Sequence, residues 1–453
     1  MLSEIVFKRG TPAQPAPVDV IGKVAVIGSA EKGTVSTVKG VTPQTDIRSE
    51  FGYGHLPETL IDAIGQNASY LYAMKLPDQA GSLTSVTHSG TGTNIPTVSG
   101  APKGGTWPVK VKITLAGAVG VAKAAYSLNG GISYKTEGVI PASGLLVLDD
   151  TGITVTYATG GGDLVLGDVD SFWAIAPKGL VSDILSAMDL IQDTVGPEVI
   201  VIADPVTPTE AQSILARAEQ YFSDIQPVDI VINPRERDVD NDETIEEYQT
   251  AILTEYADRA GDFAPAVAGE YAIADDVGEV RFRSLIGVIT GQIQFMEPEH
   301  SIAWTAFGSL HLVDTWTDWE WEDYLQLDAA RFIHARKYKQ VAGCYLQDDQ
   351  LLTDVNSKFR NLRESRVGNE FVRRLYAAAF PLLKGPRPQP GSSLGFGSLK
   401  TRLTKVVDLL VKEGRMEKGS IVVVDGGNNT SKVQAGFSPR GTEDQIEITI
   451  FVE

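Results

Sequence analysis

The chain has 453 residues, 43% hydrophobic and 21% charged, with a net charge of −19. At ~150 residues per domain this predicts two to four domains of a soluble globular protein, and the acidity argues against general nucleic-acid binding. Cys344 is the single cysteine, which excludes an internal disulfide and a cysteine metal site, and its neighbours Ala342 to Leu346 suggest a packed helix. No apolar run approaches the ~18 residues of a membrane span, and no signal-peptide layout opens the chain, so synthesis and folding in a cytoplasm are expected.

Both ends read as strand plus tether. Ile5, Val6 and Phe7 lie in a short β-like stretch, followed by a proline-bearing linker, Gly10-Thr-Pro-Ala-Gln-Pro-Ala-Pro17. At the other end Ile446, Ile448 and Ile450 alternate with Glu447 and Thr449, with Phe451 beyond, after the glycine- and proline-bearing stretch from Ala435 to Asp444. A terminal strand this apolar must complete a sheet in its own fold or in a neighbour's.

Lys23 to Ile27 reads as a buried strand, and the following turn from Gly28 to Gly33 resembles a phosphate loop. Thr34 stands where that loop needs its lysine, and Val35 to Val41 looks extended, so nucleotide binding is not expected. Leu56 to Gln66 predicts an amphipathic helix and Tyr70 to Lys75 a second core strand. From 77 to 177 the composition shifts to Gly, Thr, Ser and Val, with strands expected at 107–115, 145–148 and 153–157, which predicts an inserted all-β module. Helix and strand then alternate: 181–192 helix, 199–203 strand, 209–226 helix, 228–232 strand, 243–259 helix. This order predicts a largely parallel sheet.

Asp204, Asn233 and Arg235 fall at expected strand ends, where such sheets place active sites, but Asp-Pro and Asn-Pro are also ordinary turn dipeptides. Gly391-Ser-Ser393-Leu-Gly395 matches a nucleophile elbow formally, yet loop precedes it where a strand is required. Glu297, Glu299 and His300 hint at a metal, and an exposed turn is the simpler reading. Trp316, Trp319 and Trp321 alternate with polar residues, a pattern fitting a half-buried strand or a surface that stacks sugars.

Helices are expected at 322–346, 351–383 and 400–413, then strands at 420–425 and 431–437 joined by a glycine turn. From 331 to 440 there are 20 Lys and Arg against 9 Asp and Glu, leaving 19 against 49 elsewhere. Such asymmetry marks a basic face meeting an acidic partner. Arg363, Arg366, Arg373 and Arg374 have spacings that place several on one helix face.

The chain resembles the contractile tail sheath proteins of bacteriophages and related contractile injection systems. The resemblance rests on the apolar strand Val24 to Ile27, the turn Gly28-Ser-Ala-Glu-Lys-Gly33, Glu50-Phe51-Gly52, the helix from Leu56, and the aromatic strand from Tyr70. The β-rich insertion with Tyr126-Ser-Leu-Asn-Gly130 and Gly167-Asp168, and the tethered terminal strand, extend it over most of the chain. The resemblance implies an α/β multidomain fold. Residues 1–19 would be an N-terminal arm and linker, 20–76 with 178–305 an α/β middle domain, 77–177 an inserted all-β outer domain, 306–444 an α+β C-terminal assembly domain facing the tube, and 445–453 a strand arm. It implies a virion structural subunit without catalytic, cofactor or metal residues. Hexameric rings would stack helically around a tail tube protein, bounded by baseplate and tail terminator proteins, without direct nucleic-acid contact or membrane insertion. The two arms would exchange strands between subunits, the four arginines would face the tube, and contraction would drive the tube through an envelope. The alternative is a cell-surface or carbohydrate-binding tail protein.

Overall fold

The computed structural model describes residues 22–441 apart from 239–242, 257–263, 275, 277, 279, 314–320, 354–356, 358, 383–393 and 428–429. Both terminal strands, with Ile5, Val6, Phe7, Ile446, Ile448, Ile450 and Phe451, lie outside the described residues, as do Trp316, Trp319 and Ser393.

The apolar runs Val-Ala-Val-Ile, Val-Ile-Val-Ile and Ile-Val-Ile are suited to a sheet covered on both faces, and they form one. Val24–Gly28 is central, parallel to Leu71–Lys75 on one side and to Val199–Val206 on the other, which in turn pairs in parallel with Asp229–Pro234. Val38–Val41 closes the opposite edge antiparallel to Leu71–Lys75, so the stretch after the glycine turn is extended as expected.

Nine helices are described: α1 (Ile47–Phe51), α2 (His55–Gly65), α3 (Val181–Thr194), α4 (Pro208–Ser223), α5 (Ile245–Glu255), α6 (Ile286–Phe295), α7 (Trp321–Ala329), α8 (Leu362–Ala379) and α9 (Leu394–Lys412). The strand period of two divides them between the two faces. Val24 and Val26 meet Leu56 and Leu60 of α2 and Ile286, Ile289 and Ile293 of α6. Ala25 and Ile27 meet Ile184 and Met188 of α3, Ile214 and Leu215 of α4 and Ile252 of α5. Local chemistry starts α4 where it must begin: Thr207 and Glu210 form a reciprocal capping box ahead of Pro208.

Residues 77–177 fold as antiparallel sheets. Trp107–Leu115 lies between Lys123–Ser127 and Val169–Ile175, and a second sheet joins Leu145–Val147, Ile153–Thr156 and Thr97–Gly100. Their inward residues, Val109, Val111, Ile113, Ile153, Val155 and Phe172 among them, make a core of their own.

Beyond residue 305 the chain departs from the expected pattern. The helix expected at 322–346 stops at Ala329, and Ala335–Lys337 pairs antiparallel with Cys344–Leu346, so Cys344 is a buried strand residue and not a helical one. Arg331 and Gln340, both at positive φ, break the helical path. Phe332 then enters one apolar layer of the α/β body and Ile333 the other. The expected helix at 351–383 begins only at Leu362. The expected division at 306 does not coincide with a change of core. Leu310, Ile333, Leu346, Leu351 and Leu362 share the cluster of α2 and α6, and a separate core starts with Val367 and Phe371.

Helices α2 and α6 cross where two glycines remove the side chains that would hold them apart. A Cβ at Gly287 would lie 2.6 Å from the Asp62 Cβ, and one at Gly291 would lie 2.4 Å from the Ala63 carbonyl oxygen. Gly291→Val is expected to destabilise the subunit by about 1–3 kcal/mol through overpacking. The urea midpoint measures this; an unchanged midpoint would show that the crossing yields freely.

Candidate assembly surfaces and the junction beneath them

The last described strands, Lys418–Gly427 and Thr430–Ser438, form a two-stranded antiparallel ribbon. α9 covers one face: Ile421 and Met416 pack with Leu403, Val407 and Leu410, and Phe437 reaches Phe371 of α8 at 5.7 Å between ring centroids. On the strands themselves Val422 and Val424 remain 48% and 45% exposed. An isolated ribbon is marginally stable, and unpaired strand edges invite further strands. Among the described residues no third strand joins it.

α8 connects this ribbon to the α/β body, and its arginines make the connection. Arg366 is fully buried; its Nε donates to Glu198 Oε1 at 2.6 Å, and its Nη2 donates to the Met296 carbonyl at 3.1 Å. The other oxygen of Glu198 accepts the Gly22 backbone N–H at 2.7 Å. Burial pushes the Glu198 carboxyl up, but the charge and hydrogen bond of Arg366 outweigh it, and the group sits below the usual glutamate range. Two turns on, Arg373 donates to the Pro227 carbonyl. Ser365 and Asn369 donate to the two oxygens of buried Asp229. Burial is the first cause pushing the Asp229 carboxyl up to about 7. Arg374 bridges Glu370 and Glu413, tying α8 to the end of α9.

The expected basic face on α8 is therefore corrected. Arg363, Arg366 and Arg373 are buried and Arg374 is partly so: Arg366 and Arg373 face Glu198 and Asp229 at the starts of two sheet strands, Arg363 lies by Asp349, and Arg374 pairs with Glu370 and Glu413. Exposed cations of this region include Lys400, Arg402, Lys405 and Lys412 on α9 and Lys418 and Lys432 on the ribbon.

Between the insertion and the α/β body lies a cleft of about 580 Å³, lined by His55, Trp107, Trp173, Glu236, Glu270 and Arg281 among others. Its walls are joined by polar contacts: Arg281 stacks on Trp107, Arg237 stacks on Trp173, and Asn129 Nδ2 donates to the Val280 carbonyl at 3.1 Å. Burial pushes Glu270 up to about 7 and Asp62 up to about 6, the latter against the opposing pull of Arg283.

The three strand-end residues are held by structural contacts. Asp204 accepts the Ser29 and Gly179 backbone N–H groups, each at 2.7 Å; Asn233 donates to the Ala203 carbonyl; and Arg235 forks between Glu243 and Glu255. A Cβ at Gly28 would sit 2.8 Å from the Ala203 Cβ, so close strand packing explains this glycine without a phosphate. Glu297 and Glu299 pair with Arg415, while His300 faces Trp304 at 5.0 Å.

Removing one partner of a buried ion pair strands the other, at a typical cost of about 3–5 kcal/mol. Arg366→Met is expected to lose on that order in chemical denaturation; a loss below that of a surface substitution would show that Glu198 is held by other contacts. Asp229 is a pH probe. Its folded pKa stands above its unfolded one, so its contribution is fully present below pH ~4 and is lost as pH rises through 7. Asp229→Asn, which keeps the neutral form, is expected to flatten the stability profile between about pH 4 and 7 by roughly one proton. An identical slope in both proteins would overturn this assignment.

The sequence profile described as DUF2586, N-terminal domain, matches residues 12–350. No curated protein sequence matches the chain. Among solved structures, the sheath of an extracellular contractile injection system, the PVC sheath complex in its contracted state, is similar at TM-score 0.55 and 10% identity, covering 100% of this chain and 98% of that one. The helical sheath of the anti-feeding prophage in its contracted state is similar at TM-score 0.54 and 10% identity, over 100% and 99%. A sheath tail protein from Desulfitobacterium hafniense is similar at TM-score 0.50 and 12% identity, over 95% and 99%. The fold is that of contractile tail sheath subunits, and the chain belongs to the DUF2586 family.

Proposed function

We propose that this protein is the structural subunit of a contractile tail sheath, in a phage tail or a related injection system, and that it works without catalysis or cofactor. The observation that carries this reading is the two-stranded ribbon at 418–438, which α9 covers on one face while Val422 and Val424 stay exposed and no described strand joins its edges, placed just before a tethered apolar segment. In the assembled sheath, residues 445–453 of one copy and 5–7 of another add as strands to such ribbons. Each addition contributes backbone hydrogen bonds worth about 0.5–1.5 kcal/mol net and buries isoleucines worth about 1.5–3 kcal/mol each.

On this reading the molecule divides by task. Residues from about 362 onward form the assembly module, the α/β body with residues 310–362 lies outside it, and the insertion points outward. Copies form six-fold rings stacked helically around a tail tube protein, between a baseplate and a terminator protein, as part of the particle. The exposed lysines and arginine of α9 meet an acidic tube through screened contacts that release easily. Contraction rotates subunits while the exchanged strands stay paired and the segment 439–444 absorbs the motion.

Deleting residues 445–453 is expected to leave a folded subunit, with unchanged circular dichroism and urea midpoint, that forms no tubes by negative-stain microscopy. Tubes from the truncated protein would overturn strand donation, and unfolding on truncation would assign the strand to its own subunit's core.

A further inference from the structure

Four rings form an exposed cluster at the C-terminal end of α6. Phe295, the last residue of that helix, is 50% exposed, Trp304 47% and Phe307 39%. Phe307 stands edge-on to Trp304 at 4.8 Å and to Phe295 at 5.7 Å between centroids, and His300 faces Trp304. Edge-on rings leave clefts between them, unlike a flat stacked surface. Contiguous apolar surface of this kind marks a binding site more often than chance exposure does.

The described chain starts beside this cluster. The Gly22 N–H is held by Glu198, Glu198 holds Arg366, and Arg366 donates to the carbonyl of Met296, the residue next to Phe295. Upstream of Gly22 lie Pro12, Pro15 and Pro17, of which Pro12-Ala-Gln-Pro15 has the spacing of a polyproline ligand. At about 3.1 Å per residue in that conformation, residues 12–17 reach roughly 15 to 30 Å from Gly22, which spans a surface two side-chain contacts away. Aromatic clefts take proline rings because the segment is stiff before it binds and loses little entropy on docking.

We propose that the Phe295, His300, Trp304 and Phe307 cluster receives residues 12–17 of the same chain. The docked linker aims residues 1–9 away from the body from a fixed point, so that the arm leaves each subunit in one direction. The docking is a property of the single subunit and stands independently of the sheath reading.

The test uses the full chain with a benzophenone amino acid in place of Thr305, which is exposed and beside the rings without being one of them. Equal parts of unlabelled and nitrogen-15-labelled protein are mixed, irradiated, digested and read by mass spectrometry. Crosslinks are expected to residues 10–21 with both peptides carrying the same isotope, and their yield is expected to fall severalfold in Phe307→Ala and again in a Pro12→Ser, Pro15→Ser, Pro17→Ser chain. Mixed-isotope crosslinks to the same segment would place a second copy's linker on the cluster and overturn the proposal. Crosslinks to another segment, no crosslinks, or yields indifferent to both sets of substitutions would also overturn it.

Discussion

The carboxylate of Glu198 is the point on which the architecture turns. It stands directly before the strand Val199–Val206, accepts the first described backbone N–H of the chain, and neutralises a guanidinium that in turn reaches the end of α6. A buried charge pair is a poor source of stability compared with an apolar contact of equal volume, but it tolerates only one arrangement. Here that arrangement fixes three things together: where the N-terminal segment starts, how α8 lies on the sheet, and where the ring cluster stands. Asp229, one strand over, repeats the design with neutral donors from α8.

The same choice of polar over apolar fastening recurs at the insertion. Its core closes without help from the α/β body, and the seam between them consists of cation–aromatic stacks and hydrogen bonds around a cleft. Such contacts orient two bodies while contributing little net energy each, so the insertion is positioned without being fused. A module with a core of its own can be carried on that seam while the five-stranded sheet beside it stays unchanged.

How much of this was legible in the sequence depended on range. The parallel sheet was, because Val24 to Ile27, Val199 to Ala203 and Val228 to Ile232 are short apolar runs whose burial follows from composition alone. The strand at Trp107–Leu115 and the ribbon at 418–438 were legible from alternation and glycine turns. The strands at Ala335–Lys337 and Cys344–Leu346 were not, since three-residue strands carry no readable period and these two pair only with each other. The arginines of α8 were misread for a related reason. Charge and spacing predict a solvated face, and Glu198, the acid that Arg366 meets, is 168 positions away. A signal existed: Glu198 and Asp229 each stand directly before or within an apolar strand run, where an unpaired carboxylate is not tolerated. Paired with an arginine-rich amphipathic helix, such acids predict a buried junction.

Burial then separates two kinds of contact in the subunit. Within the subunit, breaking the Glu198–Arg366 pair leaves a charge with no solvent, so the path from sheet to α8 to α9 moves as one piece. At the ribbon, the exposed valines and unpaired edges gain by accepting a strand and remain soluble without one, since the glycines and lysines there oppose indiscriminate pairing. The buried junction is therefore harder to rearrange than the ribbon's exposed margin.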